Sequence, residues 1–149
     1  MLMEKMDDIV WSINPNNDSL ENLLLRIKRF AAQLFEAKGI EYDITIQENI
    51  HQVKLPMEHR QHIYLIMKEA INNLVKYSCS SRATIEVAVN HHHLVVSIRD
   101  NGVGFDTDEK YTGNGILSMQ NRAALMKARL YIQSQKENGT AVQLQVKIK

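Results

Sequence analysis

The sequence predicts an α+β fold, a two-layer sandwich in which helices pack on a sheet. Two long segments carry apolar residues at three- and four-residue spacing, which indicates amphipathic helices. Other segments alternate between apolar and polar residues, which indicates strands that bury one face. Because helix stripes and sheet faces each have to bury their apolar side against another element, we expect both sets of segments to pack together in one domain.

The helices follow from apolar stripes and from residues that start or stop a helix. Asp18, with Glu21 three residues later, resembles a capping box, and Gly39 is a favourable helix end. Pro56 suits the beginning of a helix. The predicted helices cover about residues 2–13, which Asn14-Pro15 ends, and then 18–38, 57–77 and 116–127.

The strands follow from alternating apolar residues. Ile85, Val87 and Val89 alternate with polar residues, and residues 90–92 then turn the chain into a second alternating segment. This arrangement predicts a β-hairpin. The predicted strands cover about residues 40–46, 83–89, 94–99, 129–135 and 140–148.

Length and composition favour one soluble globular domain. The chain has 149 residues, of which 44% are hydrophobic and 23% charged, ordinary values for a protein with a core. The net charge of +1 gives no electrostatic reason to expect nucleic acid as a partner. A single cysteine, Cys79, excludes an internal disulfide, and no apolar run is long enough for a membrane helix.

The segment Asp100–Phe105 has the composition of a binding corner. Asp100 stands at the end of a predicted strand, and Gly102 and Gly104 follow at two-residue spacing. A carboxylate can orient a polar ligand, and glycines let a ligand approach the backbone. An ordinary turn uses the same residue types, so this segment needs support from elsewhere in the chain.

Three polar residues line one side of the helix predicted over residues 57–77. Glu69, Asn73 and Lys76 recur at i, i+4 and i+7. A carboxylate, an amide oxygen and an ammonium group together suit a metal-bound polyphosphate. The alternative is a solvated helix face with a Glu–Lys pair.

Gly113 and Gly115 precede the helix predicted over residues 116–127. A helix start flanked by glycines leaves N–H groups and the positive end of the helix dipole open to an anion. The alternative is a flexible loop before a capped helix.

Together and in this order, the three segments resemble the GHKL (Bergerat-fold) ATPases, a superfamily of gyrase-type, chaperone and mismatch-repair ATPases and sensor histidine kinases. The resemblance is greatest to the two-component histidine kinases of the nitrate-sensor and desaturase-sensor type. Residues Glu69–Tyr77 resemble their N box, Asp100–Phe105 their G1 box and Gly113–Gly115 their G2 box. Gly139-Thr140 resembles the Gly-Thr pair before their last strand. The resemblance implies a mixed, mostly antiparallel sheet with helices on one face.

The resemblance implies a site for ATP and Mg²⁺, with a role for each matched residue. Asp100 would accept a hydrogen bond from the exocyclic amine of adenine, and Asn73 would coordinate Mg²⁺. Glu69 would be catalytic, orienting or polarising the histidine that receives the phosphate. The nucleotide-binding residues would be Asn73, Lys76, Tyr77, Asp100, Gly102, Gly104, Gly113, Gly115 and Thr140.

The resemblance also implies the context of the domain. Residues 1–15 would be the tail of a dimerisation helix and its linker, and residues 16–149 would be the ATP-binding catalytic domain. We expect the cytoplasmic domain of a membrane-bound bacterial sensor that is a homodimer at full length. The domain would transfer the γ-phosphate of ATP to a histidine of an upstream dimerisation domain, for relay to the receiver domain of a response regulator. We interpret the chain as a fragment of such a sensor, because none of its six histidines is followed by Asp or Glu.

Two other functions stay open. Tyr77 stands where these kinases more often have histidine, which leaves room for a nucleotide-binding scaffold without phosphotransfer. If Glu69 acts on water, as the matching residue does in the hydrolysing branch of the superfamily, the domain would be an ATP hydrolase of the same fold.

Overall fold

A computed structural model of the protein describes residues 19–103, 114–135 and 137–148. In chain order its elements are α1 (Leu20–Lys38), β1 (Glu41–Ile46), a 3₁₀ helix (Glu48–Gln52), α2 (Met57–Tyr77), β2 (Arg82–Asn90), β3 (His93–Asp100), α3 (Asn114–Leu125), β4 (Arg129–Ser134) and β5 (Thr140–Lys147). The helix predicted over residues 2–13 and the predicted site residues Gly104 and Gly113 lie outside the described ranges.

The five strands form one sheet in the order β1-β2-β3-β5-β4. β1 pairs with β2 in parallel, and the pairs β2–β3, β3–β5 and β4–β5 are antiparallel. The predicted mixed, mostly antiparallel sheet is therefore confirmed. The predicted hairpin is also confirmed, since β2 and β3 pair up to Asn90 and His93 on either side of a tight turn.

The helices pack on one face of the sheet, as predicted. Alternate strand residues such as Ile85, Val96 and Leu144 are buried, because successive side chains of a strand point to opposite faces. They join helix residues such as Leu24 and Ile71 in one apolar core. Burial of this shared face is what holds the two layers together.

The first helix starts differently from the capping box that the sequence predicts. Ser19 is the N-cap residue of α1, and its side-chain oxygen accepts a hydrogen bond from the backbone N–H of Asn22 at 3.0 Å. With the cap at Ser19, the capping-box position three residues later is Asn22 and not Glu21, so the predicted pairing with Glu21 is wrong. Asp18 itself lies outside the described residues. At the other end, Gly39 has φ +68° and ends α1 as predicted.

The later helix boundaries agree closely with the sequence. Pro56 is the N-cap residue of α2, and that helix spans Met57–Tyr77 as predicted. α3 begins at Asn114, so that Gly115 lies within the first turn of the helix rather than before it. The 3₁₀ helix between β1 and α2 was not predicted, because its short polar sequence carries no periodic apolar pattern.

Candidate functional site

Asp100 is the last residue of β3 and lies on the sheet face that carries the helices. It follows buried Val96 and Ile98 at two-residue spacing, so its side chain shares their face. Its Oδ1 accepts a hydrogen bond from the backbone N–H of Gly102 at 2.8 Å. Its carboxylate also accepts one from the backbone N–H of Thr140, the first residue of β5. These two bonds hold the carboxylate in one orientation at the edge of the core.

Burial raises the pKa of the Asp100 carboxyl above its ordinary value, because desolvation disfavours the charged form. The hydrogen bonds from the backbone N–H groups of Gly102 and Thr140 act in the opposite direction and stabilise the carboxylate. A half-buried carboxylate with a raised pKa is a group that gains from a further hydrogen-bond donor. The Asp100 side chain is therefore suited to accept a hydrogen bond from an amine group of a ligand.

The segment Asp100–Val103, which we call the β3 corner, lies directly against the end of α2. The backbone N–H of Val103 donates to the carbonyl oxygen of Ser78 at 2.7 Å. A Cβ atom on Gly102 would lie 2.0 Å from that same carbonyl oxygen. Only glycine allows this approach without moving the backbone, so the packing of the β3 corner against Ser78 requires Gly102.

Asn101 lies in the β3 corner and Ser78 lies against it, although the sequence indicates no role for either. The Asn101 side-chain oxygen accepts hydrogen bonds from the backbone N–H groups of Ser81 and Arg82, each at 3.0 Å. These contacts fix the corner to the start of β2. The only local signal was the Asp-Asn-Gly turn sequence, which indicates a turn but not its partners.

Glu69 and Asn73 lie side by side on α2 and face the first turn of α3. Both side chains are partly buried. A Cβ atom on Gly115 would lie 2.2 Å from Oε1 of Glu69 and 3.1 Å from Nδ2 of Asn73. The structure therefore brings together three of the predicted site residues from two segments that are far apart in sequence.

Lys76 and Tyr77 are at the C-terminal end of α2 and are both exposed. The Tyr77 side chain is 65% exposed, which leaves it free to contact a ligand or another protein surface. Lys76 lies one turn beyond Asn73 and adds a positive charge at this end of the helix.

α3 is held against α2 by a pair of polar side chains. The Arg122 guanidinium donates to Nδ1 of His62 at 3.4 Å, which requires that ring nitrogen to be unprotonated. Burial lowers the pKa of His62, and the charges of Arg122 and His59 lower it further, while Glu58 raises it. The neutral imidazole thus helps to fix the helix that carries Gly115.

The oxygen atoms of Glu69 and Asn73 fit a hard divalent cation. Carboxylate and amide oxygens are typical ligands of Mg²⁺, which also keeps water and phosphate oxygens in its coordination shell. Among the described residues, no group of three or more His, Cys, Asp or Glu side chains could hold a metal ion. Two such oxygen atoms on one helix would leave coordination positions open for water or phosphate oxygens.

A cavity of about 600 Å³ opens beside Asp100 at the ends of β3, β4 and β5. Ser134, Gly139 and Thr140 are among the residues that line it. Polar side chains and a fixed carboxylate at the edge of an apolar core are features of small-molecule sites. Of the predicted site residues, Asp100 and Thr140 line this cavity, and Gly102 adjoins it through its hydrogen bond to Asp100.

Comparison with known families is consistent with this geometry. The family model described as histidine kinase-, DNA gyrase B- and HSP90-like ATPase matches residues 58–149. Sensor protein VraS of Staphylococcus haemolyticus is 32% identical over 97 residues, which are 64% of this chain and 28% of that protein. VraS of Staphylococcus epidermidis is 30% identical over 100 residues, 66% of this chain and 29% of that protein. The chain thus spans less than a third of the length of these relatives.

Solved structures share the fold at low sequence identity. The histidine kinase domain of the Erythrobacter litoralis EL346 blue-light activated histidine kinase matches with a TM-score of 0.71 and 18% identity, over 85% of this chain and 61% of that one. The Acinetobacter baumannii histidine kinase AdeS matches with a TM-score of 0.72 and 14% identity, over 99% of this chain and 79% of that one. Full-length ShkA in complex with AMPPNP matches with a TM-score of 0.72 and 15% identity, over 86% of this chain and 30% of that one.

Within residues 19–103, 114–135 and 137–148, no helix is both long and apolar enough to cross a membrane.

Proposed function

Because the chain belongs to the family of histidine kinase-, DNA gyrase B- and HSP90-like ATPases, we propose that it is the ATP-binding catalytic domain of a sensor histidine kinase. The observation that carries this proposal is how close Gly115 lies to Glu69 and Asn73, since an added Cβ atom there would lie 2.2 Å from Oε1 of Glu69 and 3.1 Å from Nδ2 of Asn73. It joins the start of α3 to the polar stripe of α2, while Gly102 seats the β3 corner against the end of that same helix. A nucleotide would have its base at Asp100 and its phosphates near Asn73 and Gly115.

Each matched residue then has a task that its chemistry can perform. Asp100 accepts a hydrogen bond from the exocyclic amine of adenine. Gly102 lets the β3 corner pack closely against the end of α2. The first turn of α3 offers backbone N–H groups to phosphate oxygens. Lys76 adds a positive charge. The remaining nucleotide-binding residues that we propose are Tyr77, Gly104, Gly113 and Thr140.

Asn73 would hold Mg²⁺ through its side-chain oxygen. The bound cation would supply positive charge that offsets the negative charge of the phosphates. Glu69 lies one helical turn before Asn73. In this proposal its carboxylate orients or polarises the group that attacks the γ-phosphate. In a kinase that group is a histidine nitrogen: a bond from nitrogen to the γ-phosphorus forms, and the bond from that phosphorus to the β,γ-bridging oxygen breaks.

The wider context of the domain is part of the proposal. The relatives named above are sensor proteins. We propose that residues 1–15 continue a dimerisation helix and that residues 16–149 form the catalytic domain of a homodimeric, membrane-bound sensor. Its phosphate acceptor would be a histidine of its own dimerisation domain, and the receiver domain of a response regulator would take the phosphate from there. On this proposal the domain lies in the cytoplasm.

The Mg²⁺ assignment is tested by replacing Asn73 with alanine. We expect Asn73→Ala to lose most of the enhancement of ATP binding by Mg²⁺, because the cation loses its protein ligand. The affinity for adenosine should change little, since adenosine has no phosphates. Titration calorimetry of both ligands, with and without Mg²⁺, measures this.

Asn72→Ala is the matched control for that experiment. It removes the same type of side chain from the adjacent position of α2, which points about 100° away around the helix. The control should respond to Mg²⁺ as the unaltered domain does. An unchanged Mg²⁺ response in Asn73→Ala would contradict the assignment.

Phosphotransfer is tested with γ-labelled ATP. We expect no acid-labile label on this chain alone, because none of its histidines is followed by an acidic residue. Adding a helical segment with a His-Asp or His-Glu pair in trans should give some labelling of that segment. Strong phosphohistidine on the isolated chain would contradict this prediction, and release of free phosphate that Glu69→Gln abolishes would favour an ATP hydrolase instead.

A further inference from the structure

A second cavity lies at the end of the sheet opposite to Asp100, beside the β2–β3 turn. Its volume is about 820 Å³, within the range of small-molecule sites. The segment that follows β1, the β2–β3 hairpin, the end of β5 and the start of α2 form its walls. His59 lines it, whereas Asn73 lies about four helical turns further along α2, roughly 20 Å away. The cavity is therefore separate from the residues assigned to ATP and Mg²⁺.

Hydrogen bonds fix three of these walls to one another. The Gln47 side-chain oxygen, just after β1, accepts a hydrogen bond from the backbone N–H of Val89 at 2.7 Å. The backbone N–H of Ile148 donates to the carbonyl oxygen of His92 in the β2–β3 turn, also at 2.7 Å. The segments that follow β1 and β5 are thus both bonded to the β2–β3 hairpin, and the sheet holds the cavity in shape.

The charged side chains of this cavity are all positive. Lys54 and Lys147 line it, and no Asp or Glu is among the described residues that do so. Both lysines are exposed, so that their long side chains can move toward a ligand. Two ammonium groups in a concave surface without an acidic residue favour an anion.

The start of α2 adds to this attraction. Pro56, its N-cap residue, lines the cavity, and no side chain caps the helix. The first N–H groups and the positive end of the helix dipole therefore lie at the cavity wall. Glu58 in the first turn is exposed and does not line the cavity. His59 does, and its Nδ1 atom is buried without a hydrogen-bond partner among the described residues, so that it gains from a polar ligand.

Another part of the wall is apolar. It consists of four partly buried side chains that pack against the core, those of Val53, Leu55, Val89 and Ile148. An inorganic anion would leave this surface in contact with water, whereas an apolar group attached to the anion would cover it. The cavity thus combines a positive part with an apolar part.

We propose that this cavity is a second ligand site, for a small organic anion that carries a carboxylate or phosphate group on an apolar body. The anionic group would pair with Lys54 and Lys147 near the start of α2. The apolar body would lie on Val53 and Leu55. Carboxylate and phosphate share the chemistry that these groups recognise, and the site does not depend on the assignment of the ATP site.

Binding is measured by NMR titration of the 149-residue chain with four compounds. Hexyl phosphate and hexanoate carry the two anionic groups on apolar chains of similar length. Inorganic phosphate lacks the apolar body, and hexan-1-ol lacks the charge. Shifts of backbone amide signals give both the affinity and the location of each compound. Every titration is repeated in an excess of ATP and Mg²⁺.

We expect hexyl phosphate or hexanoate to shift the amide signals of the residues that line this cavity, and the tighter of the two identifies the preferred anionic group. It should bind about tenfold or more tightly than inorganic phosphate or hexan-1-ol, because each of those makes only half of the contacts. Excess ATP should change its affinity by less than about twofold, since the two sites are far apart.

Substitution of lysine by methionine tests the positive part of the site, because methionine keeps an unbranched side chain without the charge. Lys54→Met and Lys147→Met should each weaken the bound anion by about two- to fivefold, and both together by about tenfold. Hexan-1-ol should bind the variants as it binds the unaltered chain. Lys28→Met is the matched control, since Lys28 is exposed on α1 and does not line the cavity. Thermal unfolding checks that all variants fold.

Three results would overturn the inference. If inorganic phosphate or hexan-1-ol bound as tightly as the two organic anions, the cavity would not recognise charge and apolar surface together. If ATP displaced the organic anions, or if the shifts lay only around Asn73, the anions would be occupying the nucleotide site. If Lys28→Met weakened binding as much as Lys54→Met, the attraction would belong to the whole surface and not to this cavity.

Discussion

Replacing Asp100 with alanine is expected to weaken ATP binding by at least about tenfold. The substitution removes the acceptor for the adenine amine, and a hydrogen bond to a charged group is worth roughly 1.5–3 kcal/mol. The backbone N–H groups of Gly102 and Thr140, which donate to this carboxylate, also lose their partner. Titration calorimetry in the presence of Mg²⁺ measures the change directly.

Asp43→Ala is the matched control for the loss of a carboxylate. Asp43 lies on β1 and is exposed, with an ion pair to Arg82. Because exposed ion pairs contribute little to stability, its removal should leave both the fold and the ATP affinity nearly unchanged. Wild-type affinity in Asp100→Ala would show that the base is held elsewhere.

The raised pKa of Asp100 predicts opposite effects of pH on ATP binding and on stability. As the pH falls toward the folded-state pKa, the carboxyl group begins to take up a proton at higher pH than an ordinary aspartate, and ATP binding should weaken. In the ligand-free domain the folded state binds this proton more tightly than the unfolded state. The contribution of Asp100 to stability therefore falls as the pH rises from 3.8, the ordinary pKa of an aspartate carboxyl, through the higher pKa of Asp100 in the folded state.

The Asp100→Asn variant isolates the effect of pH on stability, because the asparagine side chain cannot ionise. Relative to that variant, the unaltered ligand-free domain should lose stability as the pH rises through this window. Urea unfolding of both proteins across the acidic range measures the difference. A difference that did not vary with pH would show that the pKa of Asp100 is not raised in the folded domain.

Replacing Gly102 with alanine is expected to destabilise the domain by about 2–4 kcal/mol, the combined cost of overpacking and of a weakened hydrogen bond. The new methyl group would lie 2.0 Å from the carbonyl oxygen of Ser78. The β3 corner would have to move away from α2, which breaks or lengthens the Val103–Ser78 hydrogen bond. Thermal unfolding should show a melting temperature lower by roughly 5–10 °C.

Gly39→Ala is a control that separates the effect of steric crowding from the effect of backbone strain. Gly39 has φ +68°, but a Cβ atom there would meet no other atom within 4 Å. Its substitution should cost about 1–2 kcal/mol from strain alone and leave ATP affinity unchanged. Gly102→Ala should instead weaken ATP binding together with stability, because it displaces the Asp100 segment. A Gly102→Ala variant with normal ATP affinity would mean that the β3 corner does not position the base.

The local features of this fold could be predicted because short segments of sequence determine them. α2 begins and ends where the apolar spacing and Pro56 place it, and Gly39 takes the left-handed backbone that ends α1. The polar stripe of Glu69 and Asn73 follows from helix geometry alone. The family resemblance is confirmed by the match of residues 58–149. The assignment to the nitrate-sensor and desaturase-sensor type stays a prediction.

Where a feature depended on competition between neighbours, the sequence was less informative. Asp18 and Ser19 are adjacent and are both residue types that favour the N-cap position, so the sequence alone does not decide between them, and the structure has Ser19 as the N-cap. The start of α3 at Asn114 likewise placed Gly115 inside the helix. These differences amount to a residue or two at helix ends, where local preferences are nearly balanced.

The sequence by itself determined which α-helices and strands form among the described residues, and which of them carry the polar residues of the candidate site. Helix periodicity, strand alternation and glycine backbone preferences act over only a few residues, and this is why the sequence could determine them. Only the tertiary structure decided which residues meet. It brought Gly102 against the carbonyl oxygen of Ser78, and Gly115 against Glu69 and Asn73. Such contacts join segments that are distant in the chain, and they depend on how the shared apolar face packs rather than on any local pattern.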